Sequence, residues 1–176
     1  MKEQLGFNFK VPVGYQEAKL IGTDEESSKK AEANIQSFAW YRIDTKKSIT
    51  NLLAYAVPYD KDSKPTKSYI KKVRDRVGKV FVDGPSEGSY METEDRIAIQ
   101  TRPSNLNGYE TIQARGLWRI EGDYMGGPFI NYTIHDQAND RVIFLEGFVY
   151  AAGTKKKPFV KRAETALGTF SMAKQP

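Results

Sequence analysis

RVIFLEGFVYA, residues 141–151, is the stretch on which the fold turns. Its apolar run Val142-Ile143-Phe144-Leu145 is continuous, where a strand with one wet face would alternate with polar residues. The run reads as a strand buried on both faces, which needs a packed layer on each side. The segments before it are also rich in β-branched and aromatic residues: Tyr90 to Arg102, Tyr109 to Ile120 and Phe129 to His135. Turn chemistry separates them, Ser104-Asn105-Leu106-Asn107-Gly108 in one gap and Asp136-Gln137-Ala138-Asn139-Asp140 in another.

Further upstream, Phe38 to Ile43 and Ser48 to Val57 form an expected hairpin around Asp44-Thr45-Lys46-Lys47. Leu5, Phe7, Phe9 and Val11 alternate with polar residues and glycine, so they read as a half-buried strand closed by Pro12 and Gly14. Gly22 to Lys30 is polar and reads as a loop or a short surface helix, and Asp60 to Lys64 as a loop. Pro65-Thr66 opens a helix whose apolar stripe is Ile70, Val73, Val77 and Val80. Lys71, Lys72, Arg74, Arg76 and Lys79 are assigned to its solvent side. A second helix begins near Pro158, with Phe159, Ala163, Leu167 and Phe170 as its stripe.

The order of elements gives an α+β domain over residues 1–176. Its antiparallel sheet should have about six or seven strands, with the two helices on opposite faces in a three-layer α/β/α sandwich. Composition agrees, because 39% hydrophobic residues can fill a core and 12% aromatics favour sheet. No stretch approaches the roughly 20 apolar residues that span a bilayer as a helix. The absence of Cys excludes disulfides, thiolate metal sites and cysteine nucleophiles within this sequence. The net charge of +5 permits an anionic partner, but acidic residues are interspersed throughout, as on an ordinary solvated surface.

Catalytic constellations do not assemble. His135 is the only His, and Asp136 and Asp140 beside it would make at most a thin metal site. Glu92 with Glu94, and Glu121 with Asp123, are paired carboxylates that solvent exposure explains. Neither a nucleophile elbow nor a glycine-rich nucleotide fingerprint is present. No cofactor is therefore expected. Lys155, Lys156, Lys157, Lys161 and Arg162 gather at the start of the last helix, where cations oppose the macrodipole.

Gly122-Asp123-Tyr124-Met125-Gly126-Gly127-Pro128 is the most unusual segment. Its glycines and proline demand special backbone angles and would display Tyr124 and Met125 from a loop. The candidate binding surface is Trp118, Asp123, Tyr124, Met125, Gly126 and Gly127, with Tyr124 and Met125 at least partly accessible. The competing reading is a tight connection whose Tyr and Met are core. Arg115 and Arg119 share one strand face and Trp118 the other, so an inward Arg115 would need a carboxylate such as Glu146 or Asp123.

Four ordered segments carry a resemblance: residues 83–91 (DGPSEGSYM), 115–119 (RGLWR), 121–129 (EGDYMGGPF) and 146–151 (EGFVYA). Together they resemble a bacterial family of envelope lipoproteins with a domain of unknown function, over about Phe7 to Phe170. That resemblance implies the C-terminal domain of a longer lipoprotein in the bacterial envelope. Its lipid anchor, its only route to the membrane, would lie on a Cys outside this sequence. The order of elements also resembles the PsbP-like fold, with Pro12-Val13-Gly14 after the opening strand and Phe170-Ser171 after the last helix. Those domains mostly bind proteins. The expected function is a noncatalytic binding domain for an envelope protein or a small ligand. A hydrolase or metal-dependent enzyme is the rival, and a nucleic-acid or polyanion binder is third, with nucleic acid not favoured.

Overall fold

A computed structural model describes residues 2–23, 28–61 and 64–173. Asp24 to Ser27, in the acidic part of the expected 22–30 loop, lie outside the described residues, as do residues 62–63 of the 60–64 loop. The chain runs through α1 (Lys2–Leu5), β1 (Phe7–Asn8), β2 (Gln16–Ile21), α2 (Ser28–Ala33), β3 (Ser37–Asp44), β4 (Ile49–Pro58) and α3 (Lys67–Phe81). It continues through β5 (Tyr90–Thr93), β6 (Gln100–Leu106), β7 (Tyr109–Glu121), β8 (Gly126–Asp136), β9 (Arg141–Tyr150), α4 (Lys157–Leu167) and β10 (Ser171–Met172).

The main sheet is antiparallel, with strand order β2-β3-β4-β9-β8-β7-β5 and β6 also paired to β7. β9 is central, and every position from Arg141 to Val149 is buried. Its two faces feed two separate cores. Val142, Phe144 and Phe148 join Leu53, Tyr55 and Val57 of β4 beneath Ile70, Val73, Val77 and Val80 of α3. Ile143 and Leu145 join Leu52, Ala54 and Ala56 beneath Ala163, Ala166 and Leu167 of α4. The α+β, three-layer expectation holds for this physical reason: alternate residues of one strand bury on opposite sides, and each side needs a helix. Gly147 lets α4 settle directly on β9, since a Cβ there would lie 2.6 Å from that of Ala163.

Three differences from the sequence expectation have identifiable causes. The main sheet has eight strands. β2 has no counterpart in the expected strands because it is an edge strand whose first three residues are exposed, leaving little alternation to read. The single expected strand 90–102 is two, β5 and β6, which pair end to end along β7. Between them the chain makes an excursion in which Arg96 pairs with Glu94 and Asp95 reaches Lys71. The alternation at 5–11 reflects burial more than strand. Leu5, Phe7 and Phe9 are buried on the α4 side, but only Phe7–Asn8 pairs, with β10, after a turn at Gly6.

Arg74 also departs from its assigned solvent position. It follows Ile70 by four residues, so it lies on the inward stripe of α3, and its side chain is 1% exposed. Thr66 caps the start of this helix by accepting the backbone N–H of Tyr69. The Arg74 Nε donates to Glu146 Oε1 at 2.9 Å, and Nη1 donates to Thr93 Oγ1 at 2.7 Å. Asn131 Nδ2 donates to Glu146 Oε2, and the guanidinium lies 3.9 Å from the Phe129 ring centroid. Asp75 accepts both the backbone N–H and the hydroxyl of Thr93, which ties α3 to β5.

Burial is the largest influence on Glu146 and holds its carboxyl above the usual carboxylate range, with Arg74 pulling it back down. A raised folded-state value means that the contribution to stability is fully present below the unfolded pKa and is lost as pH rises through the folded one. Arg74→Met should cost about 3–5 kcal/mol by stranding a buried carboxylate, and the double variant Arg74→Met/Glu146→Leu should recover most of it. Because Arg74→Met removes the opposing pull, its loss of stability from acidic to neutral pH should be larger than that of the unsubstituted domain. Urea denaturation across that range measures both effects.

Candidate functional site

α3 cannot cover the whole of its sheet face. Its 15 residues extend roughly 22 Å at 1.5 Å each. The 10 residues of β9 extend roughly 33 Å at about 3.3 Å each. Around the end of β9 the sheet is instead roofed by Val82 to Pro85 and by Met125, and a cavity of about 300 Å³ remains. Phe148 and Trp118 form part of its floor, edge to face with centroids 5.2 Å apart. Ile49 and Tyr150 are register partners at one side, and Arg42 and Asn51 are partners beside them. Trp40 closes the row, its Nε1 donating to Asn51 Oδ1 at 2.9 Å. Both tryptophans of the chain therefore line one cavity.

The structure divides the residues singled out in the sequence. Trp118 and Met125 line the cavity. The buried Trp118 indole donates to the Val149 carbonyl at 3.2 Å. Gly127 permits that approach, because a Cβ there would lie 2.0 Å from the Val149 oxygen and 3.3 Å from Trp118 Nε1. Gly126 is similarly confined by the Trp118 carbonyl. These two glycines open strand β8, and their place in the fold is close packing around Trp118. Asp123 braces the turn: Oδ1 accepts the Tyr124 N–H, and Oδ2 accepts the Ser86 hydroxyl at 2.8 Å. Gly122 supplies the positive φ of 86° that the turn requires. Tyr124 projects fully into solvent, and Met125 is half-buried against the α3-side core.

Trp40, Arg42, Asn51 and Tyr150 escaped the sequence reading, since nothing in their hairpin and strand patterns says that α3 ends short of them. Arg115 pairs with Glu164 of α4 at 2.7 Å, not with Glu146 or Asp123, because its side of β7 faces α4. Arg119 bridges Glu92 and Glu121, which gives those carboxylates a structural role. His135 is exposed and stacks on Tyr59 at 4.0 Å, while Asp136 is taken by Arg141 at 2.7 Å. Among the described residues no group of three or more His, Cys, Asp or Glu is placed to hold a metal ion. The fully buried Tyr55, raised well above its ordinary range by burial and then by Glu146, does not line the cavity.

A family model described as Domain of unknown function (DUF4837) matches residues 1–169, and the chain belongs to that family. No curated protein matches the chain.

The packing assigns opposite sensitivities to neighbouring residues. Tyr124→Ala should change stability by no more than about 0.5 kcal/mol, as an exposed substitution. Gly127→Ala should cost about 1–3 kcal/mol by forcing β8 away from the Val149 backbone and disturbing the Trp118 indole that donates to it. Thermal melts, with near-ultraviolet dichroism to follow the indole, measure both.

Proposed function

We propose that this domain is a noncatalytic binding module of a bacterial cell-envelope lipoprotein, and that it holds a small ligand in the cavity between the sheet and the Val82–Pro85 segment. The observation that carries this reading is the concentration of both tryptophans, Phe148, Tyr150 and Met125 around one concave space. Ligand sites are concave, mostly apolar and equipped with a few polar groups, and about 300 Å³ is the lower end of their usual size. Tyr124, next to Met125 in the chain, is fully exposed and adds an aromatic ring to the surface of the same loop. The resemblance to envelope lipoproteins supports the location, with the anchor outside this sequence. The three-layer order supports a PsbP-like relationship, whose members mostly bind proteins.

N-phenyl-1-naphthylamine, an uncharged fluorescent probe of apolar sites, should brighten on binding the domain. Ile49→Trp, which fills the cavity from β4, should reduce that signal at least fivefold while the domain stays folded. An undiminished signal in Ile49→Trp would exclude the cavity as the site. For the envelope location, the full-length gene product should incorporate labelled palmitate in a bacterial host and fractionate with membranes; unlabelled protein would refute the anchor.

A further inference from the structure

Asn51 is the one buried amide in the wall of this cavity whose orientation is fixed by chemistry. An indole N–H can only donate, so the Asn51 oxygen must face Trp40, and the Asn51 NH2 group must face away from it. Asn51 is 3% exposed, its Nδ2 has no acceptor among the described residues, and that atom is not sealed from solvent. With water as its only partner, that donor favours a ligand that brings an acceptor to replace the water it displaces.

The charges at the mouth decide what kind of acceptor that is. Arg42, the register partner of Asn51, has its Nε and Nη2 donors committed to Asp44, at 3.1 Å and 2.9 Å. Exposed Asp83 adds a second carboxylate to the rim. The cation beside Asn51 is thus already offset, and an incoming carboxylate would meet two others. An uncharged acceptor meets no such repulsion. The remaining walls are flat and apolar: two indoles, Phe148 and Tyr150 favour stacked or edge-on rings. A volume of about 300 Å³ equals about ten waters at roughly 30 Å³ each, room for one or two fused rings and too little for a folded peptide.

We infer that the cavity takes an uncharged planar aromatic compound bearing a carbonyl group, the rings lying among Trp40, Trp118, Phe148 and Tyr150 and the carbonyl oxygen accepting from Asn51 Nδ2. This rests on the binding reading of the same cavity and adds the ligand class to it.

Three ligands of nearly one shape test it by titration calorimetry: indole-3-carboxamide, indole-3-carboxylate and indole. The carboxamide should bind at least tenfold tighter than the other two. Asn51→Asp keeps an oxygen for the Trp40 N–H but loses the donor, and it should bring the carboxamide to within threefold of indole. The ligand class is overturned if indole or the carboxylate binds as tightly as the carboxamide, or if Asn51→Asp keeps the preference. If indole still binds then, and Ile49→Trp abolishes it, the binding reading survives that failure. If none of the three binds, the ligand class falls, and the N-phenyl-1-naphthylamine signal alone decides the binding reading. Should Asn51→Asp not fold, the order of the three ligands on the unsubstituted domain decides.

Discussion

A single charge pair at the middle of the molecule fixes how its layers stack. Arg74 on α3 and Glu146 on β9 are each about 1% exposed, so neither has water to solvate it. Removing either partner strands a charge, and the cost of doing so ties the helix to one position over the strand. Asn131 and Thr93 take the remaining hydrogen-bonding capacity, and Asp75 secures Thr93 in turn. The apolar residues of α3 would tolerate small slides along the sheet, whereas this polar network has one satisfied arrangement.

The position so fixed has a consequence at the far end of the sheet. With α3 held over Glu146, its last residue is Phe81, stacked on Phe38 with centroids 4.3 Å apart. The end of β9, with Phe148 and Tyr150, then faces a loop and not a helix. A loop roof fills space less completely than a helix, and the cavity is what remains. Trp118 anchors the other wall through Val149, which is why β8 begins with two glycines. The same packing that closes the core on one side of Glu146 therefore leaves it open on the other.

Much of the architecture is readable from local pattern. The continuous run at 142–145 implies burial on both faces, and the faces do belong to different cores. The stripes of α3 and α4 hold at Ile70, Val73, Val77, Ala163 and Leu167, because a helix buries residues three and four apart whatever it packs against. Exposed edge strand β2 carries no such signal, and Arg74 carries a misleading one, since a cation is ordinarily read as solvent-facing. The candidate surface divides in the same way. A glycine-rich turn displaying Tyr124 is legible from residues 122–128, because the backbone angles demand it.

What the sequence by itself determined is the set of local preferences: which segments extend, which coil, where the chain turns, and that one strand lies between two layers. Those follow from side-chain periodicity and backbone sterics, which act within a few residues. Only the tertiary structure decided that Arg74 meets Glu146 and that Arg115 meets Glu164. It alone decided that Trp40, Asn51, Trp118 and Tyr150 surround one space. Those residues come from four different strands, and their meeting depends on sheet order, register and the length of α3 relative to β9. None of these is a property of any short stretch of chain, because each is set by the balance of contacts over the whole fold.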